Sequence, residues 1–320
     1  MKGKHTITVS NVKLQFTLDL TRNITIIRGD SGTGKTTLVG MLRDYERLGT
    51  QSGVTVRSDK ACRVLDDMDW ERRLSEYKDS IIFIDEGNRF VGSQAFASAI
   101  QGTDNYYVIV TRESLYQLPY SVEAVLELKR TTSKKKLTYN KAYQYYKFLD
   151  AAPQRLGHAN YVLTEDSHSG YEMYSHIAGM YQTACESAGS KSKIYAKLTE
   201  KADGRTLVIA DGAAFGAEME KVYRFEKLHP DRVILYLPES FEWLILKSGI
   251  IRNEKLKEIL AVPADYIDSE NYLSWEQYFT DLLTKLSQEH NYMHYNKHKL
   301  NAFYLQDENV RKIINAMQTE

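Results

Sequence analysis

Apolar and polar residues alternate at the start of the chain and then gather into runs. Ile7 and Val9, then Leu14, Phe16, Leu18 and Leu20, alternate with polar neighbours, which predicts two half-buried strands forming a hairpin. Ile24, Ile26 and Ile27 predict a buried strand. Leu38, Val39, Met41, Leu42 and Tyr45 then recur at helical spacing until Gly49. Short strands are predicted at Val54–Arg57 and Ala61–Leu65, a helix at Trp70–Lys78, and a buried strand at Ile81–Ile84. A helix at Ser93–Gln101 and a buried strand at Tyr106–Val110 follow. Val122–Leu128 and Leu137–Asn140 flank Thr131–Lys136, a hairpin with the basic tip Lys134-Lys135-Lys136; the tip is either solvated or a contact for nucleic-acid phosphates.

The period lapses between Lys141 and Asn160, around Pro153 and Gly157. That lapse divides the chain into a first domain over 1–145, a linker over 146–158 and a second domain over 159–320. The second domain repeats a strand-then-helix grammar. Tyr161–Thr164 leads into Glu165-Asp166 and a helix from about Gly170, and Gly189–Lys193 reads as a loop. Leu207–Ala210 leads into Asp211-Gly212 and a helix carrying Phe215, Met219 and Val222. Val233–Leu237 leads into Pro238-Glu239 and a helical FEWLIL. Such alternation predicts a parallel sheet whose strand ends share one edge. Beyond residue 250 the chain turns helical. Ser274-x-x-Gln277 is a capping box opening an amphipathic helix with Trp275, Phe279 and Leu283 on one stripe. His294 and His298, four apart and so on one face of a predicted helix, lack the intervening Glu and nearby cysteine of a zinc site. The predicted class is α/β: a mainly parallel sheet, then a second α/β domain with C-terminal helices.

Composition narrows the setting. Formal net charge is zero, so any nucleic-acid binding needs a local patch. Cys62 and Cys185 are far apart, which suits a reduced cytoplasm. MKGKHTITVS has no apolar segment of a signal peptide, and runs such as Trp243–Leu246 are too short to cross a bilayer. A cytoplasmic protein with no membrane partner is expected.

The chemistry concentrates at Gly29-Asp30-Ser31-Gly32-Thr33-Gly34-Lys35-Thr36-Thr37, which fits G-x-x-x-x-G-K-[ST] between a predicted strand and helix. Glycines let backbone N–H groups turn toward phosphate, and the helix N-terminus adds positive charge. Lys35 is expected to reach the β- and γ-phosphates and the Thr36 hydroxyl to ligate Mg²⁺. Ile81–Ile84 then delivers Asp85-Glu86, with Asp85 expected at the Mg²⁺ and Glu86 polarising the attacking water. Thr111 or Arg112, ending the next buried strand, is a candidate γ-phosphate sensor or an ordinary polar strand end. No Asn-Lys-x-Asp guanine-reading motif is present, which tips the base toward adenine. In the second domain Glu165, Asp211 and Glu239 each follow a predicted strand and form a candidate second metal site.

The first 140 residues or so resemble P-loop ATPases with an additional catalytic Glu. The hairpin and SGTGKTTL are similar to ABC-type domains, including those of the overcoming-lysogenization-defect (OLD) nucleases, and the Asp-Glu strand to Zot-like and AAA-type motors. No LSGGQ-like signature lies between Lys35 and Asp85, and Arg112 stands where an ABC domain has its switch histidine. The second half resembles a Toprim domain through Glu165 and Asp211, with Ala213 where the family's second Asp falls. The resemblance implies an ATP- and Mg²⁺-dependent ATPase coupled to a Toprim-like domain, acting in nucleic-acid metabolism or phage defence. Alternatives are an ATP-regulated nuclease and a nucleotide-switched protein-binding module. A third is a packaging or secretion motor, a homo-oligomer with Arg112, Arg89 or Arg130 as a finger in trans.

Overall fold

The computed structural model describes residues 1–132, 137–147, 159–201, 204–288 and 291–318, and the protein is of the α/β class. It divides into two compact units, Met1–Lys147 with Val262–Ser274, and Phe148–Ala261 with Trp275–Glu320. Lys134, Lys135 and Lys136, and most of the expected linker, lie outside the described residues.

The first unit is built on one nine-stranded, mixed, curled sheet. Its strands are β1 (His5–Ser10), β2 (Leu14–Leu20), β3 (Ile24–Arg28), β4 (Thr55–Arg57), β5 (Ala61–Val64), β6 (Ser80–Ile84), β7 (Tyr106–Val110), β8 (Val125–Thr132) and β9 (Thr138–Gln144). The spatial order is β4-β1-β2-β9-β8-β3-β7-β6-β5. From β8 to β5 the strands run parallel, and β3, β6 and β7 are buried at every residue. Both faces of a parallel sheet are covered, hence the unbroken apolar runs. β1 and β2 pair antiparallel, and in β1 the inward Ile7 and Val9 alternate with exposed or half-exposed threonines. β8 and β9 pair antiparallel, while β9 runs parallel to β2 and so joins the two parts of the sheet.

Helix α1 (Lys35–Leu48) sets Leu38 and Leu42 into one core cluster with Ile7, Phe16, Phe83 and Val108. Gly49 caps it with an N–H to the Tyr45 carbonyl. Two short helices follow, α2 (Trp70–Glu76) and α3 (Gln94–Ala99), the latter capped by Ser93 Oγ accepting from Phe96 N at 3.1 Å. Residues 262–274, beyond the sequence-derived boundary, return to this unit. Gly3 N–H donates to the Ala264 carbonyl at 2.8 Å and Asn23 Nδ2 to that of Leu273 at 2.9 Å.

The second unit has a four-stranded parallel sheet, β10 (Tyr161–Thr164), β11 (Ala184–Ser187), β12 (Thr206–Ile209) and β13 (Val233–Tyr236), in the order β11-β10-β12-β13. Its helices are α4 (Ser169–Met180), α5 (Lys191–Glu200), α6 (Gly216–Leu228), α7 (Phe241–Lys247), α8 (Leu256–Ala261), α9 (Trp275–Gln288) and α10 (Asp307–Gln318). The edge strand β11 has no counterpart in the apolar pattern, and α5 begins inside the predicted loop 189–193. Residues 294–298 do not form the helix that would align His294 with His298; Asn291–Met293 is a single 3-10 turn. Side-chain anchoring decides this segment, because Tyr295 N–H donates to Ser287 Oγ at 2.9 Å and Tyr295 Oη to buried Glu242 at 2.7 Å. Among the described residues no helix is long and apolar enough to cross a membrane.

Candidate functional site

At the C-terminal end of β3 the chain turns through three glycines with positive φ, Gly29 at 119°, Gly32 at 82° and Gly34 at 95°. Gly34 is doubly required. Its φ is unfavourable for L-residues, and a Cβ there would stand 3.1 Å from the Phe16 ring. α1 begins at the next residue, with Thr36 and Thr37 exposed in its first turn. The Lys35 amine folds back on the loop, donating to the Gly29 and Asp30 carbonyls at 2.7 Å each. Burial pushes its pKa down from the ordinary lysine value, and the nearby Arg112 charge adds to this, against Glu86, Asp30 and Asp85.

β7 lies between β3 and β6, so the residues following all three strands share one edge of the parallel sheet. From β6 come Asp85 and Glu86; Asp85 Oδ1 accepts the Glu86 N–H at 2.9 Å. From β7 come Thr111, buried, and Arg112. Arg112 Nη2 donates to Ser31 Oγ at 2.8 Å, and its Nε lies 3.0 Å from Glu86 Oε1. One guanidinium therefore ties the glycine loop to the second acidic residue. Asp30, Ser31, Thr36, Thr37 and Glu86 are exposed and Asp85 half-buried, so the edge is open to a ligand. The other candidate fingers, Arg89 and Arg130, are also exposed.

Sequence reasoning passed over Arg28, the last residue of β3. Its buried guanidinium donates to Tyr146 Oη at 3.2 Å, the Glu113 carbonyl at 3.2 Å and Ser114 Oγ at 3.1 Å. It thereby fixes the turn that begins with Arg112. A cation ending an otherwise apolar buried run, ITIIR, was the available signal.

In the second unit, the ends of neighbouring strands β10 and β12 bring Glu165 and Asp211 together. Asp211 N–H donates to Glu165 Oε2 at 3.1 Å, and Phe241 N–H donates to Asp211 Oδ1 at 3.1 Å. Glu239 does not complete a ligand set with them: among the described residues no three His, Cys, Asp or Glu side chains are arranged to hold a metal ion. What Glu239 gives this edge is its backbone carbonyl, which accepts from Ala213 N–H at 3.1 Å. The charges that act on the pair include those of Glu276 on α9, Glu242 on α7, Lys191 on α5, Asp166 after β10 and Lys297 after α9. Burial pushes Glu165 up to about 7, with the Glu276 charge adding, and raises Asp211 through burial and the charges of Glu276, Glu165 and Glu242. Lys297 Nζ pairs with Glu276 at 2.8 Å. Its burial alone favours the neutral amine, but Glu276 and Glu242 outweigh this and hold its pKa above the ordinary lysine value. Glu242, Glu276 and Lys297 carry no motif, and their convergence is tertiary.

No family model matches the chain, and no curated protein matches it in sequence.

Proposed function

We propose that the first unit binds ATP with Mg²⁺ and hydrolyses it, as a P-loop ATPase with a catalytic Glu. The observation that carries this reading is the Arg112 bridge, which brings Ser31 of the glycine loop and Glu86 of the acidic pair into one site. The loop amides and Lys35 hold the β- and γ-phosphates, the amine exchanging the Gly29 and Asp30 carbonyls for phosphate oxygens. The hard oxygens of the Thr36 hydroxyl and Asp85 carboxylate fit Mg²⁺, which would neutralise phosphate charge. Arg112 leaves Glu86 for the γ-phosphate when ATP arrives. Glu86, released, orients a water and takes its proton as the water oxygen attacks phosphorus and the bond to ADP breaks. Adenine is favoured by the lack of a guanine-reading motif.

For the second unit we infer a nucleotide-switched binding module on a Toprim-like layout. Strand order and the Glu165–Asp211 pairing support the layout. Ala213, and Lys297 as built-in counter-charge to Glu276, favour binding over metal-dependent nuclease chemistry.

Phosphate release by wild type and Glu86→Gln tests the first reading. Turnover is expected to fall by about 10²–10⁴-fold in the variant with ATP affinity kept. Equal turnover in the two proteins would overturn Glu86 as the base.

A further inference from the structure

The outer face of β8 and β9 carries a pattern that the nucleotide site does not use. Side chains alternate along a strand, so Tyr139, Lys141 and Tyr143 share one side of β9, opposite the side of buried Asn140. The antiparallel register sets Lys129 beside Lys141 and Glu127 beside Tyr143. Tyr139 is 40% exposed and Tyr143 47%. Lys129 and Lys141 hold their amines 5.6 Å and 5.9 Å from the Tyr143 ring centroid, within cation–π range. Glu127 pairs with Lys129 at 2.8 Å and offsets one positive charge. Exposed Lys141 keeps the face basic.

We propose that this face binds single-stranded nucleic acid, with bases on Tyr139 and Tyr143 and the sugar–phosphate backbone along Lys129 and Lys141. Open aromatic rings beside amines suit unpaired bases, because every base has a π-face and every nucleotide a charge. Duplex bases are already stacked and offer these rings nothing. The two tyrosines are four residues apart on one strand, about 13 Å, which leaves room for a nucleotide step past Lys141 between them. A protein partner fits less well, since lysine is depleted from protein–protein contacts and here it interleaves with the aromatic rings. The chain has no net charge to attract a polyanion, so attraction has to be local, as it is on this face.

The test is fluorescence anisotropy with the full chain and labelled oligothymidylate and oligouridylate of about 20 nucleotides at low salt, with duplex DNA as competitor. Wild type is expected to bind the single strands and to lose them poorly to duplex. Tyr139→Ala and Tyr143→Ala should each weaken binding by about fivefold to a hundredfold. Tyr143→Phe, which keeps the ring, should bind as wild type. Lys141→Ala should flatten the dependence of log affinity on log salt by roughly 0.7. All three positions are exposed, so the variants keep the fold, which unchanged melting temperatures would show. Absence of single-strand binding by wild type, Tyr139→Ala and Tyr143→Ala variants that bind normally, or duplex that competes equally would each overturn the proposal. The face shares no residue with the ATP site, so MgATP binding by the same samples separates failure here from failure of the ATPase reading.

Discussion

Arg112 Nε stands 3.0 Å from Glu86 Oε1, and the same guanidinium donates to Ser31 Oγ at 2.8 Å. The two side chains of this ion pair are 54% and 38% exposed, and a pair so wet contributes at most about 1 kcal/mol to folding. Its consequence is therefore positional. It holds Glu86 on an arginine at the edge where the proposed γ-phosphate arrives.

Arg112→Ala is expected to melt within a few degrees of wild type, yet to lose about 10²-fold in kcat with KM changed little. Steady-state kinetics and a melting curve on one preparation check both halves. A normal kcat would remove Arg112 from the mechanism, and a large melting loss would make it structural.

Gly212 has no room for a side chain. A Cβ there would meet the Leu237 carbonyl oxygen at 2.6 Å and that of Pro238 at 3.1 Å, and backbone cannot yield as a side-chain tip does. The approach is part of the sheet edge, since Gly212 N–H donates to the Pro238 carbonyl at 2.6 Å. Gly212→Ala is expected to cost about 1–3 kcal/mol in urea unfolding and to leave nucleotide binding by the first unit intact. An unchanged midpoint would contradict this packing.

Much of the fold is legible in the sequence, and what is not has physical reasons. β3, β6 and β7 are continuous apolar runs, and α1 has both helical spacing and a terminal glycine, so local pattern and tertiary burial agree. β11 reads as nothing because Ala184–Ser187 is half exposed; parallel pairing with β10 holds it, and Glu186 is clasped by Lys197, Lys201 and Tyr161. The return of 262–274 to the first unit rests on bonds such as Asn23 to Leu273, hundreds of residues apart, which no window of sequence encodes. The site divides the same way. Gly29–Thr37 and Asp85-Glu86 announce themselves by motif, whereas Arg28 and the Glu276–Lys297 pair acquire their roles only by being brought to a strand end.

Glu165 gives the second unit a pH dependence of definite sign. An ordinary glutamic acid titrates near 4.5, and burial, then the Glu276 charge, pushes Glu165 up to about 7. Between those values the folded state binds more protons than the unfolded chain, so stability is present below the window and lost as pH rises through it. Asp211 is raised in the same direction and adds the same sign. Glu165→Gln keeps an acceptor for the Asp211 N–H and cannot ionise. Its unfolding free energy should fall less than that of wild type between about pH 5 and pH 8, by about 1–3 kcal/mol. Parallel pH profiles would contradict the buried charge.

The function proposed for the first unit depends on nucleotide binding at the Gly29–Thr37 loop. The most direct measurement is calorimetric titration of MgATP into wild type and Lys35→Ala, with MgGTP as a comparison. Saturable binding of one ATP per chain is expected, weakened by at least about tenfold in the variant, since the amine offers a charge-assisted hydrogen bond to phosphate. Binding that is undetectable in wild type, or identical in Lys35→Ala, would contradict the account.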